Sequence, residues 1–369
     1  MEKPKLLADS PVNRGRQLEL DVIKGLAILF MLLVHSMQIF SFAEWEPNFA
    51  NRLIVFLGSP PAAPVFMFAL GVGVVYSRKN TPGRLARRGL SILLLGFVFA
   101  FFRDYLSMCA LYLRTGDAAF LEAGVDYLFG VDILPFAGLA FLFFALAAKL
   151  RFESVHYAAA SFACAALNLL LAGTTPSSPV LVRLAGLFWG THESSWFPFL
   201  SWIPYPILGY LFGQLLLRCQ DKKRLYQICL MVSLPALLAC WLLFRHYGIN
   251  FGWEVHEVAS DYFHHNLLGS LFMSAFVLAW TSAFYFLTAL MPESIVKALS
   301  RLSKNITEIY VIHWLILACT AVFIRPQLPL PLILLIFAIL VVLSDWLAGR
   351  YLTLKARIFP AKPAGRAAA

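Results

Sequence analysis

The chain has 369 residues, 60% of them hydrophobic and only 14% charged, with a mean hydropathy of +0.75. Soluble domains run about 45–50% apolar and about 25% charged, so this composition excludes a string of soluble domains and points to one membrane bundle. The net charge of +10 would suit a nucleic-acid binder, but its distribution along the chain assigns it to membrane orientation.

Residues 1–20 form a polar, basic segment, expected to be a cytosolic N-terminal tail. The apolar stretch behind it is too long for a signal-peptide core and has no small-residue cleavage site, so it is expected to be retained as a first helix. A helix needs about 20 mainly apolar residues to cross the hydrocarbon core. Ten stretches qualify: 21–42, 61–77, 88–106, 129–150, 156–173, 199–217, 226–244, 267–290, 305–324 and 328–349. All are continuous apolar runs without strand-like alternation, and lipid admits only helices or closed barrels. The predicted fold is therefore all-α, a polytopic membrane helix bundle over 21–350, with a C-terminal tail over 351–369.

Ten spans put both termini on one side. All but six of the 30 lysines and arginines fall on that side; the exceptions are Arg52, Arg103, Arg114, Arg183, Arg245 and Arg325. By the positive-inside rule both termini are predicted to be cytosolic, with no nucleic-acid partner needed to explain the charge. The sequon Asn305-Ile306-Thr307 then falls at a cytosolic helix end and reads as chance. Six cysteines lie mostly in apolar runs with no paired spacing, which indicates thiols rather than a disulfide or metal framework.

Ionisable groups inside a span cost roughly 2.5–3.5 kcal/mol each at the helix centre and mark function by default. The first span carries Asp21, Lys24 and His35. Asp21 and Lys24 share a face at i,i+3. Lys24 and His35, eleven residues apart, lie within roughly 20° of one another around the helix and about 16 Å apart along it. Lys24 is thus expected at the cytosolic rim, held by Asp21, and His35 just past the middle of the membrane. The ninth span carries Glu308, Tyr310 and His313; Glu308 is near its cytosolic end, and His313 is the second buried histidine. Asp132 and Asp345 read as boundary residues. Arg84, Arg87 and Arg88, with Arg78 and Lys79, flank spans two and three; arginine forks suit phosphates, and Arg87 and Arg88 open a helix that returns into the bundle. In span two, Gly71 and Gly73 permit close approach of another helix or of a thin ligand. The outer-loop residues His192, Glu193, His264 and His265 lack a metal-binding spacing, so no metal is expected. Trp189, Trp196 and Trp202 read as interfacial anchors.

The run Arg16-Gln17-Leu18-Glu19-Leu20-Asp21-Val22-Ile23-Lys24-Gly25-Leu26-Ala27, followed by His35, resembles the opening of the transmembrane acyltransferase superfamily, which includes the acyltransferase-3 family and the heparan-α-glucosaminide N-acetyltransferase-like family. The basic-residue–ten–histidine motif of the acyltransferase-3 family falls on Lys24 and His35, with lysine where arginine is common. Pro64 through Gly71, Arg87-Arg88-Gly89 with Gly96, Asp132-Ile133-Leu134 with Gly138-Leu139, Phe197 through Ile203 with Gly209 through Gly213, and Leu302 through His313 are similar to further segments of the superfamily. The loop after span one lacks the histidine of the heparan enzymes.

The resemblance implies a membrane O- or N-acyltransferase with acyl-CoA, acetyl-CoA above all, as its donor substrate and no permanently bound cofactor. The implied acceptor is a glycan or other cell-envelope molecule at the outer side, and the implied location is a bacterial cytoplasmic membrane. His35 is the implied catalytic group, as general base or as acylated nucleophile, with Lys24 and Asp21 beside it. Arg84, Arg87 and Arg88 would bind the phosphates of acyl-CoA; Tyr310, His313 and Glu308 would support the site. The rival reading of the buried charges is a transporter or flippase of an envelope precursor.

Overall fold

The structure, a computed structural model, describes residues 5–41, 48–77, 80–247, 260–323 and 327–359. Arg78 and Lys79 of the basic cluster, Arg325 and the tail from residue 360 lie outside the described residues. Seventeen α-helices follow one another: α1 (Leu18–Phe40), α2 (Phe49–Gly58), α3 (Ala63–Tyr76), α4 (Pro82–Ala100), α5 (Leu106–Thr115), α6 (Ala119–Leu128), α7 (Ile133–Lys149), α8 (Ser154–Leu171), α9 (Pro179–Gly186), α10 (Phe199–Trp202), α11 (Pro204–Arg218), α12 (Lys222–Tyr247), α13 (Ser260–Phe263), α14 (Leu267–Thr288), α15 (Glu293–Lys304), α16 (Ile306–Phe323) and α17 (Leu330–Ile358). A π-helical turn, Phe101–Tyr105, joins α4 to α5 without a break. The described chain is otherwise free of strands apart from one isolated bridge, Leu7 to Cys219.

Among the described residues, ten helical segments are long and apolar enough to cross a membrane, in the order predicted. Several begin or end farther out than the hydropathy suggests. Span two runs from Phe49 to Tyr76 and takes in both α2 and α3; span three runs from Pro82 to Thr115, and span four from Ala119 to Lys149. Arg103 and Asp104, already within the predicted third span, pair with each other there. The last helix likewise continues past Gly349 to Ile358.

Helix α1 is central: 61% of its most apolar stretch is buried, against 17% for α12 and for α17, whose leucines and valines face outward as lipid-facing side chains do. The chief packing pairs are α4 with α7, α3 with α11, α12 with α14, and α1 with α15. The α3–α11 crossing is backbone against backbone. A Cβ on Gly71 would lie 1.8 Å from the Pro206 carbonyl oxygen, and one on Gly209 would lie 1.9 Å from that of Phe68. Gly71 therefore serves helix contact, whereas Gly73 is exposed and meets nothing. Helix α15 occupies a stretch the hydropathy leaves as loop. Leu299 and Leu302 recur at helical spacing and are buried with Ser300 and Ser303, while Glu293, Lys297 and Arg301 stay on the open side; such a helix lies along a bundle rather than through it.

Candidate active site

The ionisable residues of α1 belong to two separate clusters. At its N-terminal end, Asp21 accepts from Arg16, from Lys24 Nζ at 3.0 Å and from Ser303 Oγ at 2.9 Å, while Arg16 also donates to the Ser300 carbonyl. Gly25 makes this possible, because a Cβ there would sit 2.4 Å from the Leu299 carbonyl oxygen. The motif thus has a local explanation: the glycine lets α15 lie against α1, and the aspartate latches it. A second latch is built beside it. Buried Glu19 accepts from Lys222 Nζ at 2.6 Å and from the Tyr226 hydroxyl at 2.8 Å, tying α1 to α12.

Deeper in the bundle, His35 Nδ1 lies 3.0 Å from His313 Nε2. The ring centroids are 5.3 Å apart with planes 4° from parallel, so the two imidazoles lie edge to edge in nearly one plane. His313, with no exposed surface, has its Nδ1 3.0 Å from the carbonyl oxygen of Ile309, one turn earlier. A carbonyl only accepts, so His313 Nδ1 carries the proton. In its neutral form His313 then accepts at Nε2, His35 must donate from Nδ1, and the lone pair of His35 is left at Nε2. His35 is only half-buried, so this arrangement presents an imidazole with a free basic nitrogen. Trp314 packs on the His35 ring at 4.2 Å, and its indole N–H is buried without an acceptor among the described residues.

Around this pair stands a third cluster. Asp132 is the N-cap of α7, its Oδ1 accepting from the Ile133 N–H at 2.7 Å. Its Oδ2 accepts from Arg103 and from the Tyr310 hydroxyl at 2.5 Å. Arg103, 5% exposed on the π turn, also grips Asp104 with Nε and Nη2 at 2.8–3.0 Å and lies over the Trp314 ring at 4.9 Å. A π turn inside a long helix frequently marks a functional site.

The structure therefore joins His35, His313 and Tyr310 of the predicted site, and separates Asp21 and Lys24 from them. Glu308 is half-buried and pairs with no described residue. Arg84, Arg87 and Arg88 are exposed at the start of α4; none forms an ion pair among the described residues, and Arg88 lies 4.2 Å over the Phe141 ring. Two residues read as rim charges, Arg103 and Asp132, are instead central. The available signal was the adjacent Arg103-Asp104 pair within an apolar run. At the far end of the bundle the loop histidines are built into the fold: His264 Nε2 meets the Ser195 carbonyl, and His265 bridges the Tyr262 carbonyl and the Tyr205 hydroxyl. Burial pushes His265 down to about 4, well below the ordinary histidine range. Trp202 is fully buried and donates to the Phe263 carbonyl at 2.8 Å; it is core, not an interfacial anchor.

Comparison with known proteins adds the family. No curated protein matches the chain. The profile of acyltransferase family 3, described as an acyltransferase domain, matches residues 17–349 and so takes in α1 through most of α17. The chain belongs to the acyltransferase-3 family: it is a multi-pass integral membrane acyltransferase.

Proposed function

We propose that this enzyme moves an acyl group, acetyl above all, from cytosolic acyl-CoA to a glycan or other envelope acceptor on the opposite face of a bacterial cytoplasmic membrane. The observation that carries the reading is the free Nε2 of His35, held deep in the bundle by the His313 contact. The bias of lysine and arginine puts the Lys24 end in the cytosol. At that end Arg84 and Arg87 are exposed and pair with no carboxylate among the described residues, which leaves their guanidiniums open to phosphate; Arg88, stacked on Phe141, supports them. The donor's thin pantetheine arm then runs inward toward His35.

Either role of His35 starts from the same nitrogen. As general base, Nε2 takes the proton of the acceptor hydroxyl or amine while the acceptor oxygen or nitrogen bonds to the thioester carbonyl carbon. The carbon–sulfur bond breaks, and the departing CoA thiolate recovers that proton. As nucleophile, Nε2 itself bonds to the thioester carbonyl carbon while the carbon–sulfur bond breaks and CoA departs as the thiolate; the acceptor oxygen or nitrogen then takes the acyl group as its bond to Nε2 breaks, and the acceptor's proton goes to the thiolate. In both, positive charge develops on the imidazole.

The test is transfer of radiolabelled acetyl from acetyl-CoA in membranes carrying His35→Ala. Loss of transfer with normal insertion supports the reading, and full activity overturns it. Rapid-quench mass spectrometry of the peptide bearing His35 separates the two roles, since only the nucleophile becomes acetylated. Movement of an envelope precursor without consumption of acetyl-CoA would instead make the protein a transporter.

A further inference from the structure

Arg103, 5% exposed, joins the half-buried Asp104 and Asp132, each keeping 17% of its side-chain surface, in an ion triad with one more carboxylate than guanidinium. Unbalanced charge partly withdrawn from water is costly, and a counter-charge nearby offsets the surplus. The groups able to supply one are the two imidazoles. The triad reaches them by two contact paths. Along the first, Asp132 accepts from Tyr310, whose ring meets His313 edge-on at 5.6 Å, and His313 accepts from His35. Along the second, the Arg103 guanidinium covers Trp314, which packs on His35.

On α16 itself Glu308, half-buried near the start of the helix and paired with no described residue, is a further carboxylate; the remaining elements packed on α1 and α16 add little to the charge balance there. Arg52 of α2 is exposed; α3 and α14 carry only Tyr76 and Tyr285, both beside the Glu19 latch. Asp345 of α17 is engaged by Arg301 of α15 at 2.7 Å. Arg114 of α5 donates to the Val322 carbonyl near the other end of α16, and Cys319 is exposed.

We propose that Asp132, Asp104 and Arg103 are positioning residues whose surplus negative charge stabilises the cationic state of the His35–His313 pair during acyl transfer. Asp132 and Arg103 act through Tyr310, His313 and Trp314 and touch neither donor nor acceptor. The inference rests on His35 as the reacting group, and it predicts shifts of opposite sign for opposite charge changes. Removing a carboxylate lowers the proton affinity of the pair; removing the guanidinium raises it.

The experiment measures pH profiles of acetyl transfer from acetyl-CoA in proteoliposomes. It also follows the pH dependence of carbethoxylation of His35 by diethyl pyrocarbonate, which attacks an unprotonated imidazole nitrogen, read by mass spectrometry. Asp132→Asn and Asp104→Asn are expected to move the acidic limb of both curves down by about one pH unit, and Arg103→Gln to move it up by a similar amount. In Asp132→Asn kcat falls about tenfold, KM for acetyl-CoA stays within about twofold, and Asp132→Glu restores most of the rate. Asp104→Asn makes the same charge change without touching the helix cap, so it decides the matter if Asp132→Asn does not insert.

Shifts of the same sign in the aspartate and arginine variants, or none, overturn the inference and leave the triad a fold element. A wild-type His35 that never reacts with diethyl pyrocarbonate also overturns it, by denying the free nitrogen. If wild-type membranes consume no acetyl-CoA, the donor reading fails, and the carbethoxylation curves alone still decide the electrostatic one.

Discussion

Two aspartates in this bundle are built alike and differ in how exposed their cations are. Asp21 collects Arg16, Lys24 and a serine hydroxyl; Asp132 collects Arg103, a tyrosine hydroxyl and a helix N-terminus. The cations of the first keep 43% and 26% of their side-chain surface exposed, whereas Arg103 keeps 5%. The same donors and acceptors thus make a replaceable latch at one level and a fixed charge array at the other. Water screens and substitutes for partners at the rim; in the interior nothing does. Only the second array lies beside the histidine pair.

The largest expected effect follows from that contrast. Arg103→Leu leaves two facing carboxylates in an apolar interior and is expected to cost about 3–5 kcal/mol. Arg16→Leu removes an equivalent charge at the rim and is expected to cost about 0.2–1 kcal/mol. Thermal unfolding of the two variants in detergent micelles checks both values, and equal losses would break the comparison. A triple variant sharpens it. Arg103→Leu with Asp104→Leu and Asp132→Asn removes every charge while keeping a cap for α7 and an acceptor for Tyr310. It is expected to regain most of the lost stability, because apolar replacement of a whole buried ion cluster is often neutral, while acyl transfer stays at least about tenfold down. Transfer that returned with stability would show that the ions serve the fold alone.

How far the sequence discloses this depends on whether a signal is local. The ten spans are legible because each is a long apolar run, and the partnership of Asp21 with Lys24 because they are one turn apart on a single helix. The depth of His35 follows from helical rise alone. The pairing of His35 with His313 is not legible, since it joins helices almost the whole chain apart and depends on how α1 and α16 meet. Arg103 and Asp132 were misassigned for a related reason. Hydropathy treats a charge near a span's end as a rim charge, and only the packing of the π turn against the start of α7 shows that the two neutralise each other inside. The separation of Lys24 from the histidines was in principle readable from the same helical rise that placed them on one face.

A smaller effect tests the fit of the latch. Gly25→Ala forces a methyl group against the Leu299 carbonyl and is expected to cost about 1–3 kcal/mol by parting α1 from α15. Gly73→Ala, at a glycine that meets nothing, is expected to gain up to about 1 kcal/mol from helix propensity. The two thermal midpoints should therefore move in opposite directions. A harmless Gly25→Ala would mean that α15 is not held against α1.

The smallest expected effect concerns Lys24, the residue that the family motif sets beside His35. Its ammonium pairs with Asp21, and Arg16 holds the same carboxylate. Lys24→Ala therefore leaves Asp21 partnered, and the loss of stability is expected to be about 0.2–1 kcal/mol, shrinking with added salt. Because the charge of Lys24 is already matched, KM for acetyl-CoA is expected to change less than about twofold, while the paired change Arg84→Ala with Arg87→Ala raises it more than about tenfold by removing two guanidiniums free to meet phosphate. A lysine-to-alanine change that raised KM as far as the double arginine change would bring Lys24 into the donor subsite. The Asp21 pair would then be a resting contact that the incoming phosphate displaces, and the rim latch would open with each turnover.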